Sequence, residues 1–130
     1  MTEAGAAKRI LIVEDTEDNR QIMRDLLGGA GFDLIEAYDG EEGVAMAGEH
    51  KPDLILMDFQ LPILDGYEAT RRIRANPSTK DIPIIAVTSY ALSGDEAKAM
   101  SVGCSGYVAK PFSPRKLLAK IREFLPEATG

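Results

Sequence analysis

Three stretches of the chain are apolar without interruption: Ile10 to Val13, Leu54 to Met57 and Ile84 to Val87. Short runs with no polar alternation predict strands buried on both faces, which belong to parallel sheets covered by helices on two sides. Phe32 to Ala37 is less purely hydrophobic and carries Glu36, which predicts a strand at the sheet edge. Tyr107 to Ala109 predicts a short fifth strand.

Helical spacing fills the intervals. Ile22, Met23, Leu26 and Leu27 recur as one face of a first helix, and Gly28-Gly29 is expected to end it. Asp39 with Glu42 predicts a capping pair for a second helix carrying Val44 and Ala47 on one side. Ala69 and Ile73 mark a third. Ser93 with Glu96 reads as a capping box for a fourth. Ser113 followed by Pro114 supplies an N-cap and a first-turn proline for a fifth. The fifth has the clearest stripe: Leu117, Leu118, Ile121, Phe124 and Leu125.

Five alternating strand–helix units imply an α/β, doubly wound, three-layer fold. Right-handed crossovers restrict the topology, and the compact solution is the flavodoxin-like strand order 2-1-3-4-5 with the second strand at an edge. Residues 8–126 are expected to form one domain, with residues 1–7 and 127–130 as flexible tails. The short tails suit a stand-alone protein, although a domain cut from a larger protein would look similar.

Composition narrows the function. A net charge of -6 argues against non-specific nucleic-acid binding, which rewards a basic surface. No apolar run approaches the ~20 residues of a membrane span. The start of the chain also lacks the apolar core of a signal peptide, so a cytoplasmic protein is expected. One cysteine, Cys104, excludes an internal disulfide and reads as a small buried residue. The only histidine, His50, sits in a polar stretch before Pro52 and reads as a solvated loop residue, so zinc sites built on Cys and His are excluded.

The candidate chemistry collects at the carboxyl ends of four strands. The first ends in Glu14-Asp15, the third in Asp58, the fourth in Thr88-Ser89 and the fifth in Lys110. Open parallel sheets bind ligands beyond those ends, so the fold brings the residues to one spot. Each has a bland reading alone: an Asp after a strand caps or turns, a threonine satisfies local backbone, a lysine is solvated. Together they describe a chemistry. Three clustered carboxylates need a proton or cation to relieve them, and carboxylate oxygens with waters suit magnesium. A divalent ion, an amine and a hydroxyl around a nucleophilic aspartate are what a transferring phosphoryl group requires. Pro62 and Gly66 lie in a loop before the third helix. Pro62 stiffens it, and Gly66 permits an unusual backbone or close packing.

The segments IVEDTEDN, LILMDFQLPILDGYEA, VTS and GYVAKPFS resemble the response-regulator receiver domain of two-component systems, over Lys8 to Leu125. The pattern is similar to stand-alone receivers of the cell-cycle or chemotaxis regulator kind. The resemblance implies that Asp58 is the phosphoacceptor. Glu14, Asp15, Asp58 and the backbone carbonyl of Gln60 would hold Mg2+, for which Mn2+ substitutes. Thr88 would bond a phosphoryl oxygen and Lys110 would pair with it. Tyr107 would turn inward as Thr88 moves; its bland alternative is an aromatic that only packs. The Lys110-Pro111 peptide would be cis, aiming the lysine. Ser89 and Tyr90 stand at the mouth of the site, where they would affect access and phosphoryl lifetime.

The implied function is a phosphoacceptor switch and not a turnover enzyme. Its donor would be a phosphohistidine on a histidine kinase or histidine phosphotransfer protein. Its downstream protein target would dock on the fourth helix, fifth strand and fifth helix. The fourth-helix region, with Gly94, Ala97, Ala99 and Gly103, has few large anchors, which suits a movable element. The alternative within the family is a phosphorelay intermediate or a fragment of a hybrid histidine kinase.

Outside the family, a flavin carrier would need a hydroxyl-rich loop where Glu14-Asp15 repels phosphate. An aspartate-nucleophile phosphatase would need an acid where Gln60 stands. A scaffold with a decayed site would lack a required group, and none is missing. A dinucleotide enzyme would need a G-x-G-x-x-G that follows no strand. The sequence names neither the kinase nor the target, and it leaves the phosphoryl lifetime and oligomeric state open.

Overall fold

A computed structural model of the chain describes residues 7–88, 95–109 and 113–125, the side chains of Asp95 and Glu96 excepted. The elements alternate: β1 (Arg9–Val13), α1 (Glu17–Gly29), β2 (Asp33–Ala37), α2 (Gly40–His50), β3 (Leu54–Asp58), α3 (Gly66–Ala75), β4 (Ile84–Thr88), α4 (Asp95–Ser101), β5 (Gly106–Ala109) and α5 (Pro114–Phe124). All strand pairs are parallel and the order is β2-β1-β3-β4-β5. This is the expected flavodoxin-like sheet with β2 at one edge.

Successive side chains of a strand point to opposite faces, so each apolar run feeds two cores. Ile10, Ile12, Leu54, Leu56, Ile85 and Val87 pack under α1 and α5, where Met23, Leu27, Leu117 and Ile121 meet them. Leu11, Val13, Ile55, Met57, Ile84 and Ala86 pack on the other face against Ala47 of α2, Ala69 and Ile73 of α3 and Ala99 of α4. Every residue of β3 and β4 is buried, so a one-residue slip would exchange the side chains of the two cores.

Local signals set the helix starts. Asp39 accepts a bond from the Glu42 amide at 2.8 Å, while the Glu42 carboxylate accepts one from the Tyr38 amide at 2.7 Å. Asp65 caps α3 through the Glu68 amide at 2.9 Å, and Ser113 caps α5 through the Lys116 amide at 3.0 Å with Pro114 in the first turn.

One expectation is corrected. Ile22 does not join the core face of α1; it is 51% exposed, because α1 turns Met23, Leu26 and Leu27 to the sheet instead. Gly28 and Gly29 are the last two residues of α1, as expected, and the left-handed residue beyond them is Gly31, at φ 96. The proposed capping box of Ser93 and Glu96 lies outside the described residues. In α4 the small Ala99 is buried and Met100 is 45% exposed, so its hold on the sheet is light, as its composition implies.

Candidate functional site

Strand register places the reactive groups. Val13 is level with Met57, so Glu14 and Asp58 leave the sheet side by side. Asp58 is level with Val87, and Thr88 with Ala109. Acid, acid and hydroxyl therefore emerge from three adjacent strands, with β5 completing the row.

Glu14 is 1% exposed. Its amide donates to the Ala37 carbonyl at 3.0 Å, which extends the β1–β2 ladder by one residue. Its Oε2 accepts from the Thr16 amide at 3.1 Å and from Asn19 Nδ2 at 3.3 Å. Its carbonyl accepts from Arg20 Nη1 at 2.7 Å. Asp15 is exposed at the mouth, with the Thr16 hydroxyl 3.5 Å from its Oδ1.

Asp58 is 3% exposed, and its Oδ1 accepts from the Gln60 amide at 2.9 Å. The chain can turn back over this strand end because Gly66 lacks a side chain: a Cβ there would lie 2.6 Å from the Asp58 carbonyl and 2.5 Å from the Phe59 ring. Close packing, not an unusual backbone, is therefore the role of Gly66. The Phe59 ring meets Tyr67 edge-on, with centroids 4.2 Å apart. Thr88 is buried, and its Oγ1 accepts from Gln60 Nε2 at 3.3 Å. Gln60 thus contributes a side chain where only its carbonyl was expected.

Carboxylate oxygens of Glu14, Asp15 and Asp58 lie within 4.8 Å of one another. An octahedral ion with ligands at about 2.0–2.1 Å spans about 4.2 Å between opposite ligands, so the cluster fits magnesium held partly through water. Two of the three carboxylates are buried, and burial without a compensating cation would disfavour their charged forms. Asp15 is exposed, so the cluster is open to solvent on that side.

Tyr107 is half-buried on β5, packed against the face that carries α2, α3 and α4. Together with Ala109 and with Lys116, Lys120 and Glu123 of α5 it lines a groove of about 510 Å³. Lys110, Pro111, Ser89 and Tyr90 lie outside the described residues, as does the Lys110-Pro111 peptide. Cys104 is buried, as expected; His50 is exposed, but it is the last residue of α2 and not a loop residue.

The residues that sequence reasoning passed over are Asn19 and Arg20. They follow Glu14 by five and six positions, which places both in the opening turns of α1, within reach of the strand it leaves. That spacing was readable; the direction of the side chains was not. Arg20 is joined to Glu17 at 2.7 Å, and Arg24 bridges Glu17 at 2.6 Å and Glu36 at 3.0 Å. Arg24 first, then Arg20, hold the Glu17 carboxyl below its ordinary range through these bonds.

No described helix is long and apolar enough to cross a membrane. Residues 10–122 match the family profile described as response regulator receiver domain. The chain is 40% identical over 121 residues to the polar-differentiation response regulator DivK of Brucella anthropi, covering 93% of this chain and 98% of that one. It is similar in structure to the receiver domain of the sensor histidine kinase PA1611 of Pseudomonas aeruginosa, which has a magnesium ion coordinated in its active-site cleft. The TM-score is 0.87 and the identity 38%, over 93% of this chain and 99% of that one. It is also similar to the chemotaxis protein CheY4 of Vibrio cholerae, with a TM-score of 0.86 and 29% identity over 92% of this chain and 99% of that one. A doubly wound sheet whose strand tips gather three acids and a buried threonine, matched along nearly its whole length, makes this chain a member of the response regulator receiver domain family of two-component signalling.

Proposed function

We propose that residues 8–126 form a stand-alone phosphorylation switch whose phosphoacceptor is Asp58. One observation carries the reading: Asp58 stands within 4.8 Å of both acids of β1's end, on the strand next to Thr88. Glu14, Asp15, Asp58 and the Gln60 carbonyl would hold Mg2+, with Mn2+ as a substitute. The bound ion would neutralise charge on the phosphoryl oxygens. An Asp58 oxygen attacks phosphorus in line, the P–N bond to the donor imidazole breaks, and its electron pair leaves with the imidazole nitrogen. Thr88 donates its hydroxyl to a phosphoryl oxygen, and Lys110 pairs with another. The donor is a histidine kinase or histidine phosphotransfer protein.

The product adds roughly -1.5 to -2 charge at Asp58. Thr88 and Lys110 move towards it, Tyr107 follows, and the population of the α4–β5–α5 surface shifts. The groove between β5 and α5, with Lys116 and Lys120 on its wall, supports that surface as the docking site of a downstream protein. The protein acts in the cytoplasm by binding other proteins and not nucleic acid, and it assists its own phosphorylation and dephosphorylation without turning over a separate substrate. The second reading, a phosphorelay intermediate or hybrid-kinase fragment, is less supported, because the response regulator DivK is matched over 98% of its own length. A phosphotransfer profile against the kinases and phosphotransfer proteins of the source organism separates the two.

Phosphoryl label from acetyl phosphate or a cognate kinase is expected on the wild type. It is expected to vanish in Asp58→Asn and after chelation of divalent ions. Label persisting on another residue overturns the assignment.

A further inference from the structure

We propose that Arg20 is a positioning residue of the metal site, fixing the peptide between Glu14 and Asp15 and thereby the aim of both carboxylates. This rests on reading Glu14, Asp15 and Asp58 as the magnesium ligands.

The Arg20 guanidinium makes hydrogen bonds through both Nη atoms, while its buried Nε makes none. Nη1 donates to the Glu14 carbonyl at 2.7 Å and Nη2 to Glu17 at 2.7 Å. Nε lies 3.4 Å from a Glu36 oxygen, and the guanidinium carbon sits 4.2 Å from the centre of the Tyr38 ring. Arg20 is 9% exposed, on a helix whose other charged side chains face solvent or the rim. A planar fork locked this way is a rigid donor, which a lysine cannot imitate.

The Glu14 carbonyl belongs to the planar peptide that ends at the Asp15 Cα. Holding its oxygen holds the plane, and with it the direction in which Asp15 departs. The neighbouring Asn19 holds Oε2 of the same Glu14 at 3.3 Å. The start of α1 therefore fixes the acidic pair through both main chain and side chain. A bare cation here would repel a divalent ion. Glu17, Glu36 and the face of Tyr38 lie against the guanidinium and offset its charge, so what Arg20 adds to the site is geometry.

Arg20 also ties α1 to β2, and a tie alone would affect stability but not metal affinity. Mg2+ titration of the full chain, followed by two-dimensional NMR, separates the roles. Arg20→Met keeps the apolar stem and is expected to weaken Mg2+ binding by about 10-fold, the low end for partners of metal ligands. Arg20→Lys, which keeps one donor, is expected to lose less. In phosphoryl labelling, the Mg2+ concentration for half-maximal rate should rise with the dissociation constant while the plateau at saturating Mg2+ holds. Wild-type affinity in folded Arg20→Met overturns the proposal; should that variant not fold, wild-type affinity in Arg20→Lys overturns it. Asp15→Asn is the control: if it binds Mg2+ as well as the wild type, the metal-site reading itself fails.

Discussion

Gln60 Nε2 donates a hydrogen bond to Thr88 Oγ1 at 3.3 Å, joining the residue two beyond Asp58 to the hydroxyl at the tip of the next strand. A hydroxyl that accepts this bond keeps its own hydrogen to donate elsewhere, so in the proposed switch the amide would orient Thr88 for a phosphoryl oxygen. Gln60→Met preserves the backbone carbonyl and removes the amide. Magnesium affinity is expected to be unchanged. The phosphoryl group, deprived of a hydrogen bond's worth of about 1 kcal/mol, should be lost about five-fold faster. Decay of radiolabelled protein at fixed Mg2+ measures this; an unchanged half-life removes Gln60 from the switch.

Gly66→Ala is expected to destabilise the fold by about 1–3 kcal/mol, the usual range for overpacking. The new methyl would lie 2.6 Å from the Asp58 carbonyl, which is backbone and cannot swing aside. Urea unfolding reads the stability, and the rate of labelling by acetyl phosphate should fall in the same variant because the atom displaced belongs to Asp58, the proposed phosphoacceptor.

Arg74 stitches the end of α3 to two loops. It donates to the carbonyls of Gly103 at 2.8 Å, Lys80 at 2.9 Å and Ile82 at 2.7 Å, and its Nη2 lies 3.3 Å from the Ser105 hydroxyl. Burial lowers its pKa below the ordinary guanidinium value. Arg74→Met strands those acceptors and should cost roughly 1–3 kcal/mol. Arg74→Lys should restore only part of this, since one ammonium cannot span the set. Denaturation midpoints of the three proteins test the order.

The Cys104 thiol is pushed up to about 11 from an unfolded value of 9.0, first by burial, with its bond to Thr70 and the charge of Arg74 acting against the rise. The folded state thus keeps the proton more tightly than the unfolded state. The stability this confers is complete below pH 9.0 and is lost as pH rises towards about 11. The slope is at most about 1.4 kcal/mol per pH unit. Cys104→Ala should flatten the decline between pH 8.5 and 10.5 in urea unfolding; an identical decline in both proteins would discount the thiol.

The sequence by itself determined the layers, the strand order and, among the described residues, the three strand tips that carry Glu14-Asp15, Asp58 and Thr88. Unbroken apolar runs such as residues 54–57 can be satisfied only between two helical layers, and Asp39 and Ser113 cap the helices they precede because a cap bonds within three residues. Tertiary structure alone decided which groups touch across the chain: that Gln60 reaches Thr88, that Arg20 grips the Glu14 carbonyl, that Ile22 faces solvent and that Gly66 serves by its missing side chain. Periodicity reports which face a residue lies on. It carries no record of how far a long side chain extends or what already fills the space above a sheet, and those are settled only when the layers pack.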